Sequence, residues 1–114
     1  MNSRDAVESL AALAQDSRLS VYRLLVKRGP EGFAVGALAD RLSIPGPTLS
    51  FHLKALAHAG LVTTRKEGRF IYYCANFARM NDLVDYLTEN CCSLDKDCST
   101  SCAPAPVATR RKSA

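Results

Sequence analysis

Five cysteines carry the most distinctive chemistry in this 114-residue sequence. Cys91, Cys92, Cys98 and Cys102 fall within residues 91–102, and Cys74 lies apart from them. Serine, threonine, aspartate and lysine surround the cluster, and because such residues suit a core poorly, packing does not explain it. Clustered thiols of this kind act as metal ligands, as redox groups or as both. We expect Cys74, at the end of a predicted strand, to be a small buried side chain rather than a ligand.

The thiols favour soft metal or metalloid centres, but their spacing does not decide among those centres. Structural zinc sites commonly pair cysteines that are separated by two to four residues, a pattern that the adjacent Cys91 and Cys92 fit poorly. Thiolates select soft thiophilic centres over hard cations. A reducing cytoplasm argues against permanent disulfides, although a transient bridge stays open as an alternative.

Polar and aromatic side chains follow one face of the segment that begins at Pro47. Leu49, Leu53 and Leu56 recur at i, i+4 and i+7, which predicts the core-facing side of a helix. A projection of about 100° per residue puts the following residues on the opposite face and its flanks: Pro47, Thr48, Ser50, Phe51, His52, Lys54 and His58. Hydroxyl and amine groups can bond bases or phosphates in a major groove, and an aromatic ring can touch a thymine methyl. All of them except His58 are predicted DNA contacts, although His52 suits a packed structural role equally well.

Two helices joined by a tight turn must hold that face in place. Residues 34–42 are predicted to form a short helix with Val35, Leu38 and Leu42 on one side. The Ser-Ile-Pro-Gly-Pro run at 43–47 stops it, and Pro47 suits the first turn of the next helix. Gly60 is a natural end for that second helix. The arrangement predicts a helix-turn-helix.

A basic hairpin is predicted to follow. Residues 61–65 and 69–74 are rich in β-formers and are joined through 66–68, where Gly68 can supply the positive φ of a turn. Arg65, Lys66 and Arg69 are expected at its tip as phosphate contacts, with a merely solvated turn as the alternative. The predicted fold class is mainly α (α+β), a winged helix-turn-helix.

The sequence is similar to the ArsR/SmtB family of metal-sensing repressors. The similarity rests on QDSRLSVYRLL at 15–25, LSFHLKAL at 49–56, AGLV at 59–62 and the predicted wing, and it covers most of residues 5–90. The resemblance implies a small homodimer that occupies double-stranded operator DNA, an inverted repeat, and leaves it when a metal ion or metalloid binds.

Cys-Cys-x5-Cys at 91–98 resembles the arsenic-responsive branch of that family. Trivalent arsenic and antimony take three sulfurs in a pyramid, which Cys91, Cys92 and Cys98 could supply, with Cys102 as a further candidate. The resemblance therefore implies As(III) or Sb(III) as the effector and no catalytic cofactor. A thiol-redox switch and a zinc- or cadmium-type thiolate site stay open as alternatives. A thiol enzyme is disfavoured, because the sequence has no C-x-x-C and no evident activating histidine.

Helices are also predicted on both sides of the winged domain. One runs over 5–14, and the other runs from Asn76 or Asn81 to Asn90. Their apolar stripes consist of Val7, Leu10, Ala11 and Ala14 in the first and Met80, Leu83, Val84 and Leu87 in the second. The resemblance implies that these are dimerisation helices, and a monomer that folds them back on itself is the alternative.

Length and charge agree with a DNA-binding protein. The chain is long enough for one domain, its net charge is +4, and most of the basic excess lies in 16–76, where phosphates would bind. No apolar run is long enough to span a bilayer and no secretory leader is evident, so we expect a cytoplasmic protein without a membrane partner. We divide the chain into a DNA-binding and dimerisation domain (1–92), a cysteine-containing sensor loop (93–102) and a disordered basic tail (103–114).

Overall fold

Helices dominate the fold, with a small antiparallel sheet at one side. The computed structural model describes residues 1–94, so the predicted tail and most of the predicted sensor loop, including Cys98 and Cys102, lie outside the described residues. In chain order the elements are α1 (Ser3–Leu13), α2 (Asp16–Arg28), β1 (Phe33–Ala34), α3 (Val35–Leu42), α4 (Gly46–His58), β2 (Val62–Glu67), β3 (Phe70–Ala75) and α5 (Phe77–Thr88). The predicted fold class, mainly α with a β-wing, is confirmed.

The helix-turn-helix is formed by α3 and α4. Leu49, Leu53 and Leu56 are all completely buried, which confirms the predicted core-facing stripe of α4. Leu38 of α3 is also completely buried and belongs to the same core cluster. The second helix begins at Gly46, one residue earlier than predicted, so Pro47 lies within its first turn, where no intrahelical N–H partner is lost.

The core of the domain lies where α2, α4 and the sheet meet. Val21 and Leu25 of α2 are completely buried, as is Leu61 at the start of the hairpin. Tyr22 is buried beside them, and the loss of solvation raises the pKa of its phenol above its ordinary value. This core fixes α4 from one side only, so its other side faces solvent.

The wing hairpin differs from the prediction at its turn. Lys66 and Glu67, expected in the turn, belong to β2 and pair with Ile71 and Phe70. The connection is the two-residue turn 68–69, in which Gly68 has the expected positive φ, 61°. Two-residue turns with a positive φ match the twist of paired strands, so pairing extends closer to the tip than a three-residue loop allows.

The third strand was not predicted. β1 contains two residues and pairs with β3 on the side opposite β2, giving the strand order β1-β3-β2. Two residues are too few to show the alternation of side chains that predicts a strand. β1 is a strand only because folding brings it next to Tyr72 and Tyr73, with which it pairs.

The terminal helices leave apolar side chains in solvent. Helix α1 packs through Ala6, Ser9 and Ala12, whereas Val7 and Leu10 of the predicted stripe are 61% and 42% exposed. Along α5, Leu83 is buried, but Val84 and Leu87 are 53% and 57% exposed. The described chain therefore leaves large apolar side chains uncovered on both terminal helices. Within residues 1–94, no helix has the length and apolar character needed to cross a membrane.

A Schellman motif ends α4. The N–H of Gly60 donates to the carbonyl of Ala57 (2.9 Å), and the N–H of Leu61 donates to that of Leu56 (3.0 Å). Gly60 has φ +82°, which confirms that it ends the helix. This geometry sets the direction in which the chain enters the wing.

We expect Gly60→Ala to lower the free energy of unfolding by about 1–2 kcal/mol, because a Cβ is disfavoured at positive φ. Gly36→Ala is the matched control, since Gly36 lies in α3 with open space around its Cα. That control should raise stability by about 0.4–1 kcal/mol. Urea unfolding measures both changes, and equal shifts for the two variants would contradict the role assigned to Gly60.

Candidate nucleic-acid interface

The solvent-facing side of α4 presents polar groups and one large aromatic ring. Of the residues predicted to contact DNA, Pro47, Thr48, Ser50, Phe51 and Lys54 are exposed. Phe51 is 66% exposed, which is unusual for an aromatic side chain and suits a contact surface. No acidic residue occurs in α4, so the helix N-terminus and Lys54 give this face a positive character.

His52 is not part of that exposed face. Its side chain is buried, 8% exposed, and its ring lies edge-on to that of Phe51 with centroids 6.1 Å apart. The reason is periodicity, because position 52 follows Leu49 by three residues and precedes Leu56 by four. Nδ1 of His52 has no hydrogen-bond partner among the described residues. The structure therefore places His52 in the packed position that sequence analysis gave as its alternative.

Two cations occupy the end of the wing. Lys66 and Arg69 are exposed, and within residues 1–94 neither side chain has an ion pair or a hydrogen bond. They are therefore available to phosphates.

Arg65, which the sequence also predicts at the tip, lies deeper in the hairpin. It pairs with Tyr72 of β3, and its side chain is 41% exposed. Its guanidinium contacts Glu67 and the backbone of residues 30–31 rather than projecting from the tip. The three cations therefore do not form one cluster.

Sequence analysis missed two apolar side chains of the wing. Phe70 and Ile71 are 59% and 44% exposed, and both border a surface cleft beside the start of α3. Their residue types predict only a strand, because β-propensity does not say which face of a hairpin is left uncovered. An exposed aromatic next to Arg69 extends the candidate interface from α4 to the wing.

The second candidate site lies just beyond α5. Cys91 Sγ and Cys92 Sγ are 3.4 Å apart, too far for the bond of about 2.05 Å in a disulfide. Asn90 and Cys92 have φ of +58° and +63°, so the backbone turns sharply here. Cys91 is exposed to solvent. The two sulfurs are close enough to approach one ligand together.

Cys74 does not join these thiols in a metal cluster. It is partly buried in the hairpin, where Sγ lies 3.3 Å from the carbonyl oxygen of Pro30. Among residues 1–94, no three side chains of His, Cys, Asp or Glu converge as metal ligands would. A three-thiolate site therefore needs a sulfur from beyond the described residues.

The helix-turn-helix, the exposed polar face of α4 and the basic wing define a winged helix-turn-helix DNA-binding protein. A family model described as a helix-turn-helix domain matches residues 13–65. An arsenical resistance operon repressor of Bacillus subtilis is 32% identical over 95 residues, 83% of this chain and 87% of that protein.

Solved structures of ArsR-like regulators are also similar to this chain. An ArsR-like transcriptional regulator from Rhodococcus sp. RHA1 has a TM-score of 0.72 and 29% identity, covering 82% of this chain and 85% of that one. A homodimeric winged helix-turn-helix DNA-binding domain from Mycobacterium bovis, a possible ArsR-family regulator, has a TM-score of 0.59 and 32% identity, covering 77% and 82%. The chain belongs to the ArsR/SmtB family of DNA-binding transcriptional repressors.

We predict that Ser50 and Arg69 contribute differently to DNA binding. Ser50→Ala should weaken binding to a duplex selected from a random pool more than binding to an unselected duplex, because a hydroxyl in the groove can bond base edges. Arg69→Ala should weaken both and reduce the slope of log affinity against log salt by about 1, because a phosphate contact is lost. Fluorescence anisotropy titrations at several salt concentrations measure both effects. Equal losses on the two duplexes for Ser50→Ala would contradict base contact by that residue.

Proposed function

We propose that this protein is a homodimeric repressor that releases operator DNA when trivalent arsenic or antimony binds to Cys91, Cys92 and Cys98. The observation that carries the proposal is the 3.4 Å separation of the Cys91 and Cys92 sulfurs at the end of α5. Cys98 lies outside the described residues and is the proposed third ligand. The arsenical resistance operon repressor among the relatives supports the choice of effector.

Three thiols match the chemistry of arsenite. Each thiol replaces one hydroxyl of As(OH)₃, so that a sulfur–arsenic bond forms, an arsenic–oxygen bond breaks and the thiol proton leaves with the hydroxyl as water. Arsenic keeps its oxidation state, and no oxidant or reductant is required. Soft thiolates favour such a centre over a hard cation.

The exposed apolar side chains of α1 and α5 support a dimer. Val7, Leu10, Val84 and Leu87 lie on the two terminal helices, and all four are more than 40% exposed. Several exposed large apolar side chains on two terminal helices are expected where a second subunit packs. A homodimeric structural relative has the same architecture. A two-fold dimer presents two copies of α4, which favours an operator with inverted half-sites.

Helix α5 connects the thiols with the DNA-binding face. At its start, Asn76 donates from Nδ2 to the carbonyl of Gly60 (2.9 Å) and from its backbone to that of Leu61 (2.8 Å). Both carbonyls lie shortly after the last residue of α4, His58, and the thiols lie shortly after the last residue of α5, Thr88. A change in how α5 docks therefore reaches α4 through fixed hydrogen bonds. Couplings of this type are typically about 1–3 kcal/mol, or about 5- to 150-fold in affinity.

Disrupting the apolar face of α5 should disrupt the dimer. We expect Leu87→Glu to produce a monomer, because a carboxylate would be buried in the proposed interface without a partner. Ile71→Glu, an equally drastic change at an exposed wing residue, should leave the dimer intact. Sedimentation equilibrium gives the mass of each, and a dimeric Leu87→Glu protein would show that α5 does not form the interface.

Serine substitutions test the thiol site. Cys91→Ser, Cys92→Ser and Cys98→Ser should each bind the selected duplex normally but fail to release it with arsenite, because one arsenic ligand is lost. Cys74→Ser and Cys102→Ser are the matched thiol controls and should still respond. Anisotropy titrations with arsenite, antimonite, zinc, cadmium and diamide measure release.

Two outcomes would contradict the proposed effector site. Release of the Cys98→Ser protein at the wild-type arsenite concentration would exclude the three-thiol site. Release of the wild type by diamide, zinc or cadmium but not by arsenite would replace the proposal with a redox switch or a divalent thiolate site.

A further inference from the structure

We propose that Arg65 is a positioning residue, which clamps the wing to the loop between α2 and β1. All three nitrogens of its guanidinium donate hydrogen bonds within the chain. Nε donates to Glu67 Oε2 (2.9 Å), Nη1 donates to the carbonyl of Pro30 (3.1 Å), and Nη2 donates to the carbonyl of Glu31 (3.0 Å). A planar fork with several donors is suited to such a three-way contact.

The clamp joins parts of the chain that are distant in sequence. Arg65 lies on β2, whereas Pro30 and Glu31 follow α2, 35 and 34 positions earlier. These two carbonyls belong to a loop without regular secondary structure, so they depend on side chains or water as donors. One guanidinium donates to both carbonyls and so fixes the hairpin against the loop.

Neighbouring groups hold the guanidinium in this orientation. Its carbon lies 5.0 Å from the centroid of the Tyr72 ring, which is the cross-strand partner of Arg65. On the loop side, Glu31 forms an ion pair with Arg28 (3.0 Å). Cys74 Sγ lies 3.3 Å from the same Pro30 carbonyl that Arg65 contacts. The loop is therefore tied to both strands of the hairpin.

This arrangement separates Arg65 from the other wing cations. Lys66 and Arg69 have no such partners among residues 1–94, so they can meet phosphates without first breaking internal contacts. Arg65 would have to give up charge-assisted hydrogen bonds to do so. Its contribution to DNA binding is to hold the wing, and therefore Arg69 and Lys66, at a fixed angle to α4.

The experiment compares Arg65→Ala and Arg65→Lys with Arg69→Ala. Amide hydrogen–deuterium exchange of the whole protein without DNA measures how stably β2 and β3 are folded. The exchange rate in α4 serves as the reference for global folding. Anisotropy titrations against the selected duplex at several salt concentrations read affinity and salt slope. Only this DNA measurement rests on the proposed function.

We expect exchange in β2 and β3 to become about tenfold faster in both Arg65 variants and to stay unchanged in Arg69→Ala. Both Arg65 variants should lose about tenfold in affinity, with the wild-type salt slope. Lysine should not rescue, because it keeps the charge but lacks the fork. Arg69→Ala should instead reduce the slope by about 1.

The opposite pattern would overturn the clamp. Wild-type exchange in Arg65→Ala or full rescue by Arg65→Lys would each overturn the clamp, and a salt slope reduced by about 1 in Arg65→Ala would identify Arg65 as a phosphate contact instead. If the wild-type protein bound no duplex, the proposed function would fail, and the exchange of β2 and β3 alone would decide the clamp.

Discussion

Burial of one side of α4 is the constraint on which the rest of this structure depends. Leu49, Leu53 and Leu56 are completely buried, and removing that much apolar surface from water fixes both the position and the rotation of the helix. Since the helix has only one buried face, the same packing determines which side chains stay in solvent. The exposure of Phe51 and the burial of His52 follow from this single rotation.

The ends of α4 are fixed by backbone geometry as well as by packing. Proline at 45 and 47 defines the start, and the Schellman motif around Gly60 defines the end. Asn76 then attaches the start of α5 to the residues that follow α4. Hydrogen bonds therefore link the residues that follow α4 to the start of α5, the helix that precedes the vicinal thiols. In the proposed function, the apolar side chains left exposed on α5 pack against a second subunit, so dimer packing, effector binding and DNA binding share one element.

The wing illustrates how a charged side chain can serve structure rather than binding. Exposed ion pairs contribute little on average, but Arg65 contacts two backbone carbonyls, a carboxylate and an aromatic ring at once. Such a contact specifies the orientation of a short hairpin, which has little apolar core of its own. In the proposed role of Arg65, that orientation keeps Lys66 and Arg69, which have no ion pair among residues 1–94, where they can meet phosphates.

The sequence by itself determined the features that local physics controls. The i, i+4, i+7 leucines, the Pro-Gly-Pro turn and Gly60 were sufficient to predict the helix-turn-helix, because helix periodicity and backbone restrictions act over a few residues. The adjacency of Cys91 and Cys92 is visible in the sequence itself and was sufficient to predict a thiol site. Tertiary structure decided what depends on distant partners: the two-residue strand β1, the shorter hairpin turn, and the internal contacts of Arg65. A guanidinium that meets carbonyls 35 positions away cannot be distinguished in sequence from one that faces a phosphate, because only folding brings those carbonyls within reach.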